Sequence, residues 1–296
     1  MKTPLRYLGG KSKAFDLITP HLFSGSYPKT IVSPFLGGGS LESRWASERY
    51  TKVLGADIFK PLVFLWQEIL SDPQGLYDLV SEMPVTQEEY NRVKEVLMTW
   101  DYTQEMLSEW ATDHYKRENT HTLTRQESAV LFLYNHGLSY GPQYLGWISS
   151  IYLKDKTKWE NVLHRIKNYR NPNLSVIESS FEDTIKAHPQ DVLYLDPPYF
   201  LSGDMFKGLY PNPNFAVHHN DFDHEKLRDL LHNHKGRFVL SYNDCEEIRE
   251  YYEGFDFYYP EWKYSLGNGE TRVGKNREER NSEKDKKSHE ILIVKR

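Results

Sequence analysis

The chain has 296 residues, 39% of them hydrophobic and 27% charged, with a formal net charge of −5 and one cysteine, Cys245. That length can bury a full α/β core plus a smaller unit, and no apolar run approaches the roughly 18–20 residues that cross a bilayer. A single cysteine excludes an internal disulfide and fits a reducing compartment, while the net acidity confines any nucleic-acid contact to local basic clusters.

Met1-Lys2-Thr3-Pro4-Leu5-Arg6 has no apolar run behind it and does not read as a signal peptide. Tyr7-Leu8-Gly9-Gly10-Lys11 follows, then a helix over residues 12–19. Residues 30–35 form a short strand entering Leu36-Gly37-Gly38-Gly39-Ser40, and a helical pattern resumes over 41–46. Glycines at such a turn permit positive φ and close approach of a ligand to the backbone, although a purely structural loop has the same composition. A second strand over 53–57 ends in Asp57. A carboxylate about 20 residues beyond a glycine turn is placed to accept hydrogen bonds from ribose hydroxyls. An apolar helix over 60–69 ends near Asp72-Pro73.

Between about 74 and 160 the pattern changes to helices, over 88–100, 104–115 and 125–133. The glycine-spaced stretch 135–147 reads as a loop carrying Asn135 and Gln143. Asn and Gln can pair bidentately with adenine in the major groove. From 154 to 170 six basic residues, Lys154 and Lys156 among them, face two acids. That excess suits either phosphate contact or a solvated helix face.

A strand over 174–177 and a helix from Phe181 to about 187 lead into the apolar run Val192-Leu193-Tyr194-Leu195 and then Asp196-Pro197-Pro198-Tyr199. Residues 200–220 are rich in Gly, Pro and Asn and suit a lid. Asp223 is a helix cap, 238–243 a strand, 246–252 a helix, and 290–294 a further apolar run after a charged stretch with seven basic residues over 271–289. The 12 histidines are scattered; His218, His219 and His224 have no second ligand cluster, so no metal site is expected.

Two consecutive prolines cannot continue a strand, since neither has an N–H and both have fixed φ. The chain must leave the sheet after Asp196, at a strand's carboxyl end, where open α/β sheets bind ligands. An acid, two carbonyls held by proline rings and an aromatic ring together suit the exocyclic amine of a nucleobase. The carboxylate and a carbonyl accept its two N–H groups, and the ring stacks on the base. In a duplex such a base must first be flipped out. Asp-Pro-Pro-Tyr taken alone also fits an ordinary strand-ending turn.

With the glycine turn and Asp57 in this order, the chain resembles the Dam-type (D12 class) DNA N6-adenine methyltransferases over most of its length. Tyr7-Leu8-Gly9-Gly10-Lys11 looks like that family's N-terminal motif, and Phe35-Leu36-Gly37-Gly38-Gly39 like its Phe-x-Gly-x-Gly. The resemblance implies that Tyr7, Gly9, Gly10, Lys11, Phe35, Gly37, Gly38, Gly39, Asp57, Phe181 and Asp196 contact S-adenosylmethionine. It likewise makes Asp196, Pro197, Pro198 and Tyr199 the catalytic motif. Residues 265–272 with 290–294 look like the family's C-terminal hairpin. The family often has Asp before the phenylalanine that packs on the cofactor adenine; here Ser180 stands there, with Glu182 or Asp183 as substitutes.

The expected fold is α/β, a Rossmann-like methyltransferase sheet with an inserted, mostly helical target-recognition domain. Residues 1–73 and 161–296 form the catalytic domain and 74–160 the insert. The expected function is transfer of methyl from S-adenosylmethionine to N6 of a flipped adenine in a short duplex motif. Asn135, Gln143, Lys154, Lys156 and Arg272 are expected on double-stranded DNA. No membrane or metal is expected. The protein is expected to be a cytoplasmic, nucleoid-associated monomer (or in a host cell's cytoplasm if viral), with a cognate restriction endonuclease as a companion such enzymes can have. Cytosine-N4 or RNA amino methylation, and a DNA-binding homologue without catalysis, remain alternatives. A dinucleotide oxidoreductase is weaker, because Gly-x-Gly-x-x-Gly is absent.

Overall fold

The computed structural model describes residues 1–25, 27–107, 112, 115–200, 222–260 and 290–296. Strands among them are β1 (Thr30–Ser33), β2 (Lys52–Asp57), β3 (Leu174–Glu178), β4 (Val192–Leu195), β5 (Phe238–Asn243), β6 (Asp256–Tyr258) and β7 (Glu290–Lys295). The helices are α1 (Phe15–Leu22), α2 (Glu42–Glu48), α3 (Lys60–Ser71), α4 (Pro73–Ser81), α5 (Gln87–Met98) and α6 (Asp101–Glu105). They continue with α7 (Arg125–Leu138), α8 (Ser150–Lys154), α9 (Thr157–Lys167), α10 (Phe181–Ala187), α11 (His224–Asn233) and α12 (Glu246–Tyr251).

The strands make one sheet in the order β3-β2-β1-β4-β5-β7-β6, parallel from β3 to β5, with β7 antiparallel to both its neighbours. β4 and β5 are buried along their whole length, because helices cover both faces of a parallel sheet. Side chains alternate across it. Ile31, Tyr194, Val239 and Leu292 enter one core with α1 to α3, while Val32, Leu193, Leu240 and Ile293 enter another with α10 to α12. The strand order reverses between β1 and β4: the chain steps outward through β2 and β3, then returns to β4 on the other side of β1. A crevice at that switch point, at the carboxyl ends of the strands, is the expected ligand position.

The helices α4 to α9 lie in the chain between β2 and β3. Their apolar residues, such as Tyr90, Phe132 and Trp159, belong to the same buried cluster as Trp66 of α3 and Val53 of β2. Asp72-Pro73 does more than stop α3. The Asp72 carboxylate accepts from Gly75 N at 2.9 Å and Pro73 takes the first helical position, so the pair also starts α4. Thr124 opens α7 through a capping box with Glu127, each side chain accepting from the other residue's backbone N–H.

Three local expectations are corrected. α7 runs on to Leu138, so residues 135–138 are its last turn rather than loop. Gly137 is there because α9 packs close: a Cβ on it would sit 2.6 Å from Trp159 Cζ3. The expected 104–115 helix is interrupted: α6 ends at Glu105, Met106 and Leu107 are not helical, Thr112 and Tyr115 are helical, and 108–111, 113 and 114 lie outside the described residues. β6, with three residues, was not anticipated. The lid stretch 201–220, His218, His219 and the 265–272 half of the hairpin also lie outside them.

Candidate active site

Asp196 follows the last residue of β4, where Pro197 and Pro198 take the chain out of the sheet. Lys11 is buried beside it, and its Nζ donates to Asp196 Oδ1 at 2.7 Å and to the Tyr199 hydroxyl at 3.3 Å. The same ammonium is 3.5 Å from Glu290 Oε2 and 5.4 Å from the centre of the Tyr199 ring. Glu290 accepts from the Tyr199 hydroxyl through Oε1 and from Ser241 Oγ through Oε2, the latter at 2.9 Å. Because β7 is antiparallel, its first residue pairs with Asn243, the last of β5. That register brings Glu290 to the sheet edge where Asp196 emerges. Asn243 also donates to the Phe200 carbonyl at 2.8 Å, fixing the chain just beyond Tyr199.

Burial raises the Asp196 carboxyl above its ordinary value, and the Lys11 ammonium opposes the rise. Glu290 is pushed up to about 7 by burial, again against Lys11. For Lys11 burial pulls downward, but Asp196 and Glu290 outweigh it and raise the group, so the ammonium stays charged. Glu42, at the start of α2, is a third buried carboxyl, raised to about 7 by burial while accepting from Ser33 Oγ at 2.8 Å. The Lys11 ammonium thus serves two of these acids, Asp196 and Glu290, at the switch point.

The glycine turn is held by Asp57. Its two oxygens accept from Gly37 N and Phe59 N, both at 2.9 Å, and Trp66 Nε1 donates to the Gly37 carbonyl at 3.0 Å. The N-terminal segment lies on the turn. Thr3 Oγ1 donates to the Gly38 carbonyl at 2.6 Å, and Lys11 N to Ser40 Oγ at 3.0 Å. A Cβ on Gly38 would stand 2.3 Å from that of Tyr7, so the Tyr7 side chain occupies the space a residue there would fill. Gly9 and Gly10 are exposed, ahead of buried Lys11.

Gly39 has φ +57, and a Cβ on it would meet Trp66 Cζ2 at 2.7 Å. Gly39→Ala is expected to lose the ~1–2 kcal/mol of left-handed strain and a further clash penalty in urea unfolding. Gly141→Ala, at φ +65 with open space around it, should lose the strain alone. Equal losses at the two sites would contradict the close approach of Trp66.

Aromatic rings line the next part of the edge. Phe35, before the turn, stacks on Phe181 with centroids 5.6 Å apart and planes at 25°, and Phe222 packs against both. Ser180 caps α10, accepting from Asp183 N at 3.0 Å and donating to Asp183 Oδ2 at 2.8 Å. Glu182 is 3.5 Å from Lys186 on the same helix. Both acids offered as substitutes at this position are therefore engaged within α10.

The five residues expected on DNA do not form one group. Asn135 is buried, and its side-chain carbonyl accepts from Leu145 N at 2.8 Å, so it shapes the following loop and presents nothing to a base edge. Gln143 is half-buried in that loop. Lys154 ends α8 and Lys156 precedes α9, both exposed. Arg272 lies outside the described residues. The loop itself is closed by Tyr140 N donating to the Trp147 carbonyl at 2.7 Å, and it exposes both aromatic side chains. A groove of about 460 Å³ lined by Tyr27, Lys29, Asp191 and Arg237 lies at the amino ends of β1 and β4, the opposite edge from Asp196.

Sequence reasoning missed Glu290 and Glu42. Each is one acid among many; the β7 register brings Glu290 to Lys11, and the α2 placement puts Glu42 within electrostatic reach of Asp196. No helix among the described residues is long and apolar enough to cross a membrane. Against models of known families, residues 7–266 match the D12 class N6 adenine-specific DNA methyltransferases. A search of curated proteins found no match.

Proposed function

Because the chain belongs to the D12 class of N6 adenine-specific DNA methyltransferases, and so is a transferase that methylates adenine in DNA, we propose that S-adenosylmethionine is its donor and a flipped adenine its acceptor. The observation that carries this reading is the Lys11–Asp196–Tyr199 group at the switch point, beside the glycine turn held by Asp57. The residues present suit the donor. The Phe35–Phe181 stack offers a flat apolar surface for its adenine, Asp57 an acid for its ribose, and the turn packed under Tyr7 a close backbone for its methionine part. When bound, it supplies a methyl group activated on a sulfonium.

The chain's own residues then orient the amine. Asp196 accepts one N6–H, the Pro197 carbonyl accepts the other, and Tyr199 stacks on the base. Lys11 fixes the carboxylate from the protein side, which leaves the substrate side for the amine. Orientation and exclusion of water are the protein's main contribution, since the donor carries the reactive carbon. Within the same reading, residues 74–160 recognise the target, Gln143 and Arg272 contact DNA, and Lys154 and Lys156 meet phosphates. The protein acts as a monomer, with or without a restriction endonuclease.

Asp57→Asn weakens both the ribose contact and the hold on the turn. It is expected to raise the Kd for S-adenosylmethionine about tenfold or more, a change of ~1.4 kcal/mol, in calorimetry. An oligonucleotide with 2-aminopurine in place of the target adenine should brighten on binding as the base unstacks. Unaltered affinity in Asp57→Asn would remove the ribose assignment, and a silent probe would remove the flipped base.

A further inference from the structure

The reading above uses Asp196, Tyr199 and Lys11 but leaves Glu290 without a part. This side chain is buried at the start of β7, 91 residues from Tyr199 in sequence, and both its oxygens are committed at the site. Oε1 takes the Tyr199 hydroxyl; Oε2 takes Ser241 Oγ at 2.9 Å and faces Lys11 Nζ at 3.5 Å. Lys11 in turn reaches Asp196 at 2.7 Å. The contacts close a ring: Glu290 to Tyr199, Tyr199 to Lys11, and Lys11 to both Glu290 and Asp196.

We propose that Glu290 is the positioning residue of the catalytic motif, setting from the C-terminal strand both the tyrosine ring that stacks on the base and the lysine that fixes Asp196. A tyrosine ring on a loop after two prolines can rotate about its side-chain torsions. A buried carboxylate that accepts its hydroxyl removes that freedom before substrate arrives. A lysine ammonium on a flexible stem has several places to go, and two carboxylates within 2.7 and 3.5 Å of it narrow that choice. Ser241 keeps the Glu290 carboxylate itself from turning.

Burying a carboxylate beside Asp196 is unfavourable by itself, and Glu290 is raised to about 7 in consequence. Among the described residues, the charged and titratable groups facing it are Lys11, Asp196, Tyr199 and Tyr194, with Ser241 as a neutral donor.

Glu290→Gln keeps an acceptor for Tyr199 but removes the charge facing Lys11. It is expected to lower kcat about tenfold with KM for the donor little altered, since misplacement rather than lost binding is the cause. Glu290→Ala should lose about 10²-fold in kcat. Tyr199→Phe keeps the stacking ring but cannot reach Glu290, so the double variant Tyr199→Phe/Glu290→Gln should cost clearly less than the product of the two single effects. In cofactor-free protein, wild-type stability should fall as pH rises from about 4.5 to 7, and Glu290→Gln should flatten that fall.

Wild-type kcat in Glu290→Gln, or single effects that simply multiply in the double variant, would overturn the inference. Should the Glu290 variants not fold, Tyr199→Phe decides alone: wild-type kcat in it would also overturn the inference. The proposal rests on the assignment of Asp196 and Tyr199. An active Asp196→Ala would sink that assignment, whereas an inactive Asp196→Ala beside a fully active Glu290→Gln would sink only the role of Glu290.

Discussion

Asp196→Ala is expected to reduce methyl transfer by at least ~10³-fold while leaving S-adenosylmethionine binding measurable. The amino nitrogen of adenine is a weak nucleophile because its lone pair is delocalised into the ring. Asp196 is the carboxylate placed to accept its proton-bearing edge at the strand end, with a quarter of its side chain exposed. The turn held by Asp57 and the Phe35–Phe181 stack do not depend on Asp196. Binding and transfer should therefore separate. Equilibrium dialysis with the donor and a radiolabel transfer assay on duplex DNA measure the two halves. An Asp196→Ala protein that transfers methyl at the wild-type rate would remove this residue from the mechanism.

Lys11→Met should have the second largest effect, on stability as well as activity. The substitution takes the cation from between Asp196 and Glu290 and leaves buried carboxylates without a counter-charge. Breaking a buried pair in this way costs about 3–5 kcal/mol. The pH dependence follows from the directions of the shifts. Glu290 is raised from 4.5 to about 7, so the folded state holds more protons than the unfolded one in that interval and stability declines as pH rises through it. Without the ammonium both carboxyls rise further, and the decline extends upward. The deficit of Lys11→Met relative to wild type should be larger at pH 8 than at pH 5 in urea unfolding. A deficit independent of pH would mean that lost packing, not lost charge, is what the lysine supplies.

Much of this site is legible in the sequence because its chemistry requires unusual residue strings. Two prolines after an apolar strand leave few options for the backbone, and Asp196 does stand at the carboxyl end of β4. The glycine turn reads as a place where a ligand can approach the backbone; the side chains that a Cβ on Gly37, Gly38 or Gly39 would meet include Tyr7 and Trp66. What the sequence conceals depends on long-range register. Glu290 becomes part of the site only because β7 pairs antiparallel with β5, so that its first residue meets Asn243. Glycine was also read too simply at one position. Gly137 marks close packing of α7 on Trp159 rather than a loop, and a helix that continues past it carries Asn135 into the core. An isolated glycine in a helical pattern does not distinguish those two cases.

The central claim is that the Asp196 edge makes N6-methyladenine in DNA. Its most direct test is to express the wild-type chain and Asp196→Ala in a host lacking adenine methylation and read modified bases across the genome by single-molecule sequencing. N6-methyladenine concentrated in one short motif with the wild type, and absent with the variant, is the predicted result. Unmodified adenine with the wild-type chain, or the same methylated motif with Asp196→Ala, would contradict it.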